Sequence, residues 1–253
     1  MQLLALTKKE FLEALHNYKL IIVPIVFILL AALQPITFYY LPDIMKLATF
    51  SEGAIIQIPI PTPAETIYTI YGQLTQVGLI IIILISMGAI SNEIKSGVAE
   101  TILIKPIRRS SYLLSKWALY FTLTIISFSF GVLVGKYYTT ALIGESEWLP
   151  LIQSSGVMIL YLLIFVAINL LLSTILKSSI AAGGITILLT IIFSLIASFY
   201  IKFWFLPSYL LTVSQSMLLG QTTVNTGFSI VFAVILIVLC FVASVYALNR
   251  KQL

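Results

Sequence analysis

Apolar residues fall into six long stretches that no Asp, Glu, Lys or Arg interrupts: Leu20 to Pro42 (23 residues), Thr66 to Asn92 (27), Trp117 to Gly135 (19), Trp148 to Leu176 (29), Ser178 to Ile201 (24) and Phe203 to Asn249 (47). A helix needs about 20 apolar residues to cross a hydrocarbon core ~30 Å thick. The first five stretches therefore each predict one span. The sixth is too long for one, and Pro207, Gly220 and Gly227 divide it into a short interfacial helix and a final span. The expected spans are 20–41, 67–91, 117–136, 151–176, 179–201 and 227–248. Runs such as IIIILISM and VFAVILIVLC are apolar on every side, whereas barrel strands alternate polar and apolar positions. The fold class expected is an all-α integral membrane protein.

Before the first span, Phe11, Leu12, Leu15 and Tyr18 recur at helical spacing opposite Lys8, Lys9, Glu13 and Asn17, which predicts an amphipathic elbow helix over residues 1–19. Thr7 and Glu10 have the spacing of a capping box at its start. The prolines of the IPIPTP run favour an extended outer loop between Leu41 and Glu65. Between Lys202 and Gly227 the pattern predicts a short external helix, with Ser208 as its cap and Gly220 as its stop.

Composition agrees. The chain of 253 residues is 60% hydrophobic and 9% charged, with mean hydropathy +1.10, far from the ~25% charged content of soluble domains. The spans consume most of the length, so residues 1–253 are expected to form a single transmembrane domain. The first apolar run is longer than a signal-peptide core and reads as a retained span. Cys240 is the one cysteine, excluding an intramolecular disulfide.

Lys and Arg number eleven on the side holding both termini, the loop between spans two and three and the link at Lys177; the other side has Lys46, Lys136 and Lys202. The excess of cations places both termini in the cytoplasm of a cell membrane, the bacterial plasma membrane being expected. The net charge of +5 is thus a topology signal, and basic residues hugging the span ends do not make a nucleic-acid footprint.

The charge-free runs lack the mid-membrane titratable group that a proton-coupled carrier uses, and they lack nucleophile, base and metal ligands for a membrane enzyme. His16, the lone histidine, falls on the polar face of the elbow. Gln73, Gln76 and Asn169 are the candidates for lining a translocation path. Gly131, Gly135 and Lys136 are one residue short of a phosphate loop, and Tyr137 stands where Ser or Thr is required, so nucleotide binding is rejected. The same two glycines suit close helix packing within the chain.

The segment Asn92 to Lys116 holds five of the fourteen basic residues. Pro106 lacks a donor and restrains Lys105 to an extended backbone, which splits the segment into a helix before it and a new start after it. The result is a protruding knuckle with Val98, Thr101, Ile102 and Ile104 on one side and charges on the other. Here Glu93, Gly97, Glu100, Leu103, Pro106, Arg109 and Lys116, with Arg108 beside them, resemble the coupling segment in the membrane subunits of type-two ABC exporters; Val98 replaces the usual Thr and Ser115 the usual Gly. The six-span layout with its elbow and external helix is similar to that family along the whole chain. The resemblance implies that the segment docks on a cytoplasmic ABC ATPase, that two permease subunits pair as a homodimer or heterodimer, and that ATP and Mg bind the partner ATPase and not this chain.

The function expected is therefore the permease half of an ATP-driven exporter, not itself an enzyme; the aromatic and aliphatic spans suit an amphipathic or hydrophobic solute and equally suit a purely structural role. The alternatives are an ATP-independent secondary carrier or channel and a nontransporting membrane scaffold or immunity protein.

Overall fold

The computed structural model describes residues 2–48, 61–104, 107–199, 205–221 and 226–251. Among these residues the protein is all α-helical, and six helices or helix assemblies are long and apolar enough to cross a membrane. Helix α1 spans Gln2–His16 and α2 spans Lys19–Ala48, joined at Tyr18, whose φ of 57° puts a left-handed kink between elbow and first span. Pro24, Pro35 and Pro42 lie inside α2, as membrane helices tolerate.

The second span is assembled from pieces. Helix α3 (Pro63–Gln73) starts at a capping box in which the Glu65 amide donates to Thr62 Oγ1 at 3.3 Å and the Thr62 amide donates to Glu65 Oε2 at 2.8 Å. One π-helical turn, Leu74–Gly78, follows, then α4 (Leu79–Ser86), a turn at 87–90, and the short α5 (Ser91–Lys95). Next come α6 (Val98–Leu103), α7 (Arg109–Leu142), α8 (Trp148–Ile175), α9 (Ser179–Phe199), α10 (Tyr209–Leu218) and α11 (Thr226–Arg250).

The core lies around α7 and α8. Gly131 and Gly135 of α7 face α2 and α3: a Cβ at Gly131 would meet the Phe27 carbonyl oxygen at 3.1 Å, and one at Gly135 would meet Ile70 Cδ1 at 2.9 Å. Absent side chains let these backbones approach, the form of packing open to helices whose surroundings are as apolar as their own surfaces. Tyr71, Phe128, Leu162, Phe165 and Leu170 fill the centre, and Cys240 is buried on α11.

Several sequence expectations change. Helix α7 starts at Arg109, the new helical start expected after Pro106, and runs through the expected span 117–136 to Leu142. Residues 41–48 continue α2, and Pro63 is the first residue of α3, so the outer loop between them is shorter than supposed. Thr7 is no cap. It lies inside α1 and donates to the Leu3 carbonyl at 2.9 Å, while Glu10 turns into the bundle. Ser208 makes no capping bond to α10, whereas Gly220, with φ 67°, does stop it. The expectations for Lys105, Pro106, Lys202 and the first half of the IPIPTP run fall outside the described residues.

Candidate functional site

Three elements, α1, α5 and α7, converge at the end of the bundle that also carries α6. Lys116, 2% exposed, is an α7 residue two turns in from the helix start. Its ammonium donates to Glu93 Oε1 at 2.7 Å and to Glu10 Oε1 and Oε2 at 3.2 and 3.0 Å. Tyr112, one turn earlier, donates its hydroxyl to Glu93 Oε2 at 2.6 Å. Lys9 covers the cluster from outside, 3.4 Å from Glu10, 3.3 Å from Glu13 and 3.9 Å from Glu93. Partial burial works against the Lys9 ammonium, and the Glu10, Glu93 and Glu13 carboxylates outweigh it, holding the group above its ordinary value.

Carboxylate oxygens of Glu10, Glu13 and Glu93 lie within 4.8 Å of one another. The Lys116 and Lys9 ammonium groups already offset most of the carboxylate charge, which makes the cluster an ion-pair lock. The lock ties the elbow, the base of the knuckle and the third span into one unit. A second tie comes from Arg109, whose Nη1 donates to the Leu248 carbonyl and, at 3.0 Å, to that of Lys251. A guanidinium thus covers the free carbonyls at the end of α11, where a cation is favoured by the helix dipole.

The knuckle itself stands away from the bundle. Gly97, with φ 76°, makes the left-handed corner between α5 and α6 that side chains disfavour. Beyond it Val98 and Ile104 are 42% and 85% exposed, with Lys95, Glu100, Thr101 and Arg108 also exposed. The apolar side expected of this segment is therefore divided: Ile102 packs against the core beside the buried Ala99, while Val98 and Ile104 face outward.

Of the residues singled out in this segment, Glu93, Arg109 and Lys116 are engaged within the chain and not presented for gripping. Glu100 and Arg108 are presented, Gly97 shapes the corner, Leu103 ends α6, and Pro106 lies outside the described residues. Sequence reasoning missed Glu10, Lys9 and Tyr112. The available signal was Glu10 on the elbow's apolar side beside Phe11 and Ala14, a carboxylate in need of a cation.

The three amide candidates for a path separate. Asn169 is buried on α8 with both ends engaged: Nδ2 donates to the Ile83 carbonyl at 3.1 Å and to Ser86 Oγ at 2.8 Å, and Oδ1 accepts from Thr186 at 3.2 Å. It clasps spans two, four and five. One turn on, Ser173 accepts from the Ile90 and Ser91 amides at 3.3 and 3.2 Å and donates to the Met87 carbonyl at 2.7 Å. It thereby satisfies backbone groups freed where span two breaks, a requirement in the absence of water. Gln73 keeps its side-chain oxygen buried without a hydrogen-bond partner. Gln76 alone of the three borders a cavity of about 560 Å³ between spans two, four and five and α10.

A bundle of six membrane-crossing helices with apolar outer faces and polar contacts drawn inward defines a multi-pass membrane protein. The chain belongs to the family described as "Protein of unknown function (DUF2705)", whose model matches residues 21–253. It is also similar to the "Uncharacterized transmembrane protein YxlG" of Bacillus subtilis (strain 168), at 30% identity over 254 residues, covering 99% of this chain and 98% of that one. Membership in DUF2705 overturns the resemblance to type-two ABC exporter subunits as a family assignment. The shared anchors occupy one short segment, and here Glu93, Arg109 and Lys116 serve contacts within the fold.

Proposed function

We propose that the chain is the permease subunit of a transporter, that two such subunits enclose the path, and that a separate cytoplasmic ATPase supplies the energy by gripping the knuckle formed by α5 and α6. The termini and the knuckle then face the cytoplasm, as the excess of Lys and Arg at that end favours. One observation carries the reading: α6 offers exposed Val98, Glu100 and Ile104 to a partner while its base is locked to α1 and α7 through Glu93, Lys116 and Glu10. A force on α6 cannot dissipate in a loose loop. It passes to the elbow and third span, and through Arg109 to the last span, as a rigid-body displacement.

The test is purification of the tagged chain from its native membrane, with mass spectrometry of partners and transport assayed in vesicles. The reading predicts an ATPase at roughly equal abundance, lost on Ile104→Asp together with Glu100→Lys, and ATP-dependent transport by the complex. Uphill transport by the chain alone, or an intact complex after both substitutions, refutes it.

A further inference from the structure

The cavity behind Gln76 has a chemistry of its own. Its volume, about 560 Å³, falls within the ~300–1,000 Å³ of ligand pockets. Ser208, Thr212 and Tyr68 gather at the end roofed by α10; Leu79, Ile83 and Ile187 line the opposite end, above the clasp of Asn169 and Thr186. Among the described lining residues there is no Asp, Glu, Lys, Arg or His. A charged head group would be stripped of water with no counter-charge to meet it, whereas a hydroxyl or amide finds partners.

One such partner is waiting. Ser208 is 0% exposed, borders the cavity, and its Oγ has no hydrogen-bond partner in the protein. Buried hydroxyls are nearly always bonded, and an orphan calls for a ligand. The cavity also has a mouth on the bundle's flank: Ile80 on α4 and Ile191 and Leu195 on α9 border it and are exposed on the outer surface. Spans two and five are clasped at the depth of Asn169 and part beyond it. The π-helical turn at Leu74–Gly78 falls in the wall at this level, a distortion that recurs at functional sites.

We propose that this cavity binds an uncharged amphiphile from the bilayer, its hydroxyl-bearing head at Ser208 beneath α10 and its alkyl chain leaving between spans two and five. Binding of this kind does not depend on the transport reading, since it needs neither the ATPase nor a second subunit.

The experiment uses the full chain in nanodiscs and radiolabelled monoolein, a neutral head with one chain, with ionised oleate as the charged counterpart. Saturable monoolein binding is expected, with oleate at least ~10-fold weaker. Ser208→Ala should weaken monoolein about fivefold, the worth of one hydrogen bond. Ile191→Trp should plug the mouth and weaken it more than ~10-fold, with Leu195→Trp serving if that variant does not fold. Val238→Trp, on the exposed face of α11, should leave binding unchanged. Non-saturable uptake, equal affinity for oleate, or full binding in both mouth variants overturns the assignment, whatever the transport assay finds.

Discussion

Replacing Lys116 by Met keeps the aliphatic stem and removes the charge at the centre of the lock. Two carboxylates, Glu10 and Glu93, then lose their shared partner, with side-chain exposures of only 7% and 16%. Removing one member of a buried pair typically costs ~3–5 kcal/mol, because the remaining charge is stranded. Lys9 offsets part of this, being 3.4 Å from Glu10. It is 43% exposed, so its contribution is at most ~1 kcal/mol. A loss of about 2–4 kcal/mol is expected. The assay is denaturant unfolding of the protein in mixed micelles followed by tryptophan fluorescence, since Trp117 adjoins the lock and stacks edge-on against Phe241 at 5.2 Å. Adding Glu10→Gln to Lys116→Met should recover about 1–2 kcal/mol by removing a stranded charge, a non-additivity typical of contacting residues. If Lys116→Met costs no more than Lys9→Met, or the double variant is simply additive, the cluster is a solvated surface network and the mechanical tie between elbow and knuckle falls with it.

Three further outcomes are expected. The Lys9 group is held above 10.5 in the folded state, so its stabilisation is complete below that value and disappears as pH climbs through the raised one. The gap between wild type and Lys9→Met, under ~1 kcal/mol, should be open near neutral pH and close as the pH climbs through the raised folded-state value; a gap that widens at alkaline pH contradicts the sign. Ser173→Ala leaves the Ile90 and Ser91 amides and the Met87 carbonyl without their partner and should cost ~1–3 kcal/mol in the same unfolding assay; an unchanged midpoint refutes its role. Arg109→Gln frees the end of α11 from Arg109 and should speed removal of the last residues by carboxypeptidase several-fold with little change in global unfolding; unchanged digestion refutes the capping role.

The charge-free runs were sufficient to read the all-helical class, the six spans and the elbow, because a bilayer admits long apolar segments in few forms. The limits of those spans were less legible. Pro106 announces a new helical start, and α7 does begin at Arg109, but that the cations of Arg109 and Lys116 meet carboxylates and carbonyls distant in sequence was not legible. The candidate site was half legible. A structured knuckle after span two follows from its charge and Pro106, but the contacts of Glu93 and Lys116 with Tyr112 and Glu10 were not legible, since nothing local says whether a charge faces a partner or its own chain.

Length and hydropathy along the chain determined the membrane class and the count of crossings, both properties of segments taken one at a time. The tertiary structure alone decided that Glu10 meets Lys116 across 106 positions, that Asn169 clasps three spans and that Gln76 borders a neutral cavity with an orphaned serine. Such pairings are set by which helix faces pack together, and a bilayer that treats all apolar faces alike gives the sequence no means of announcing them.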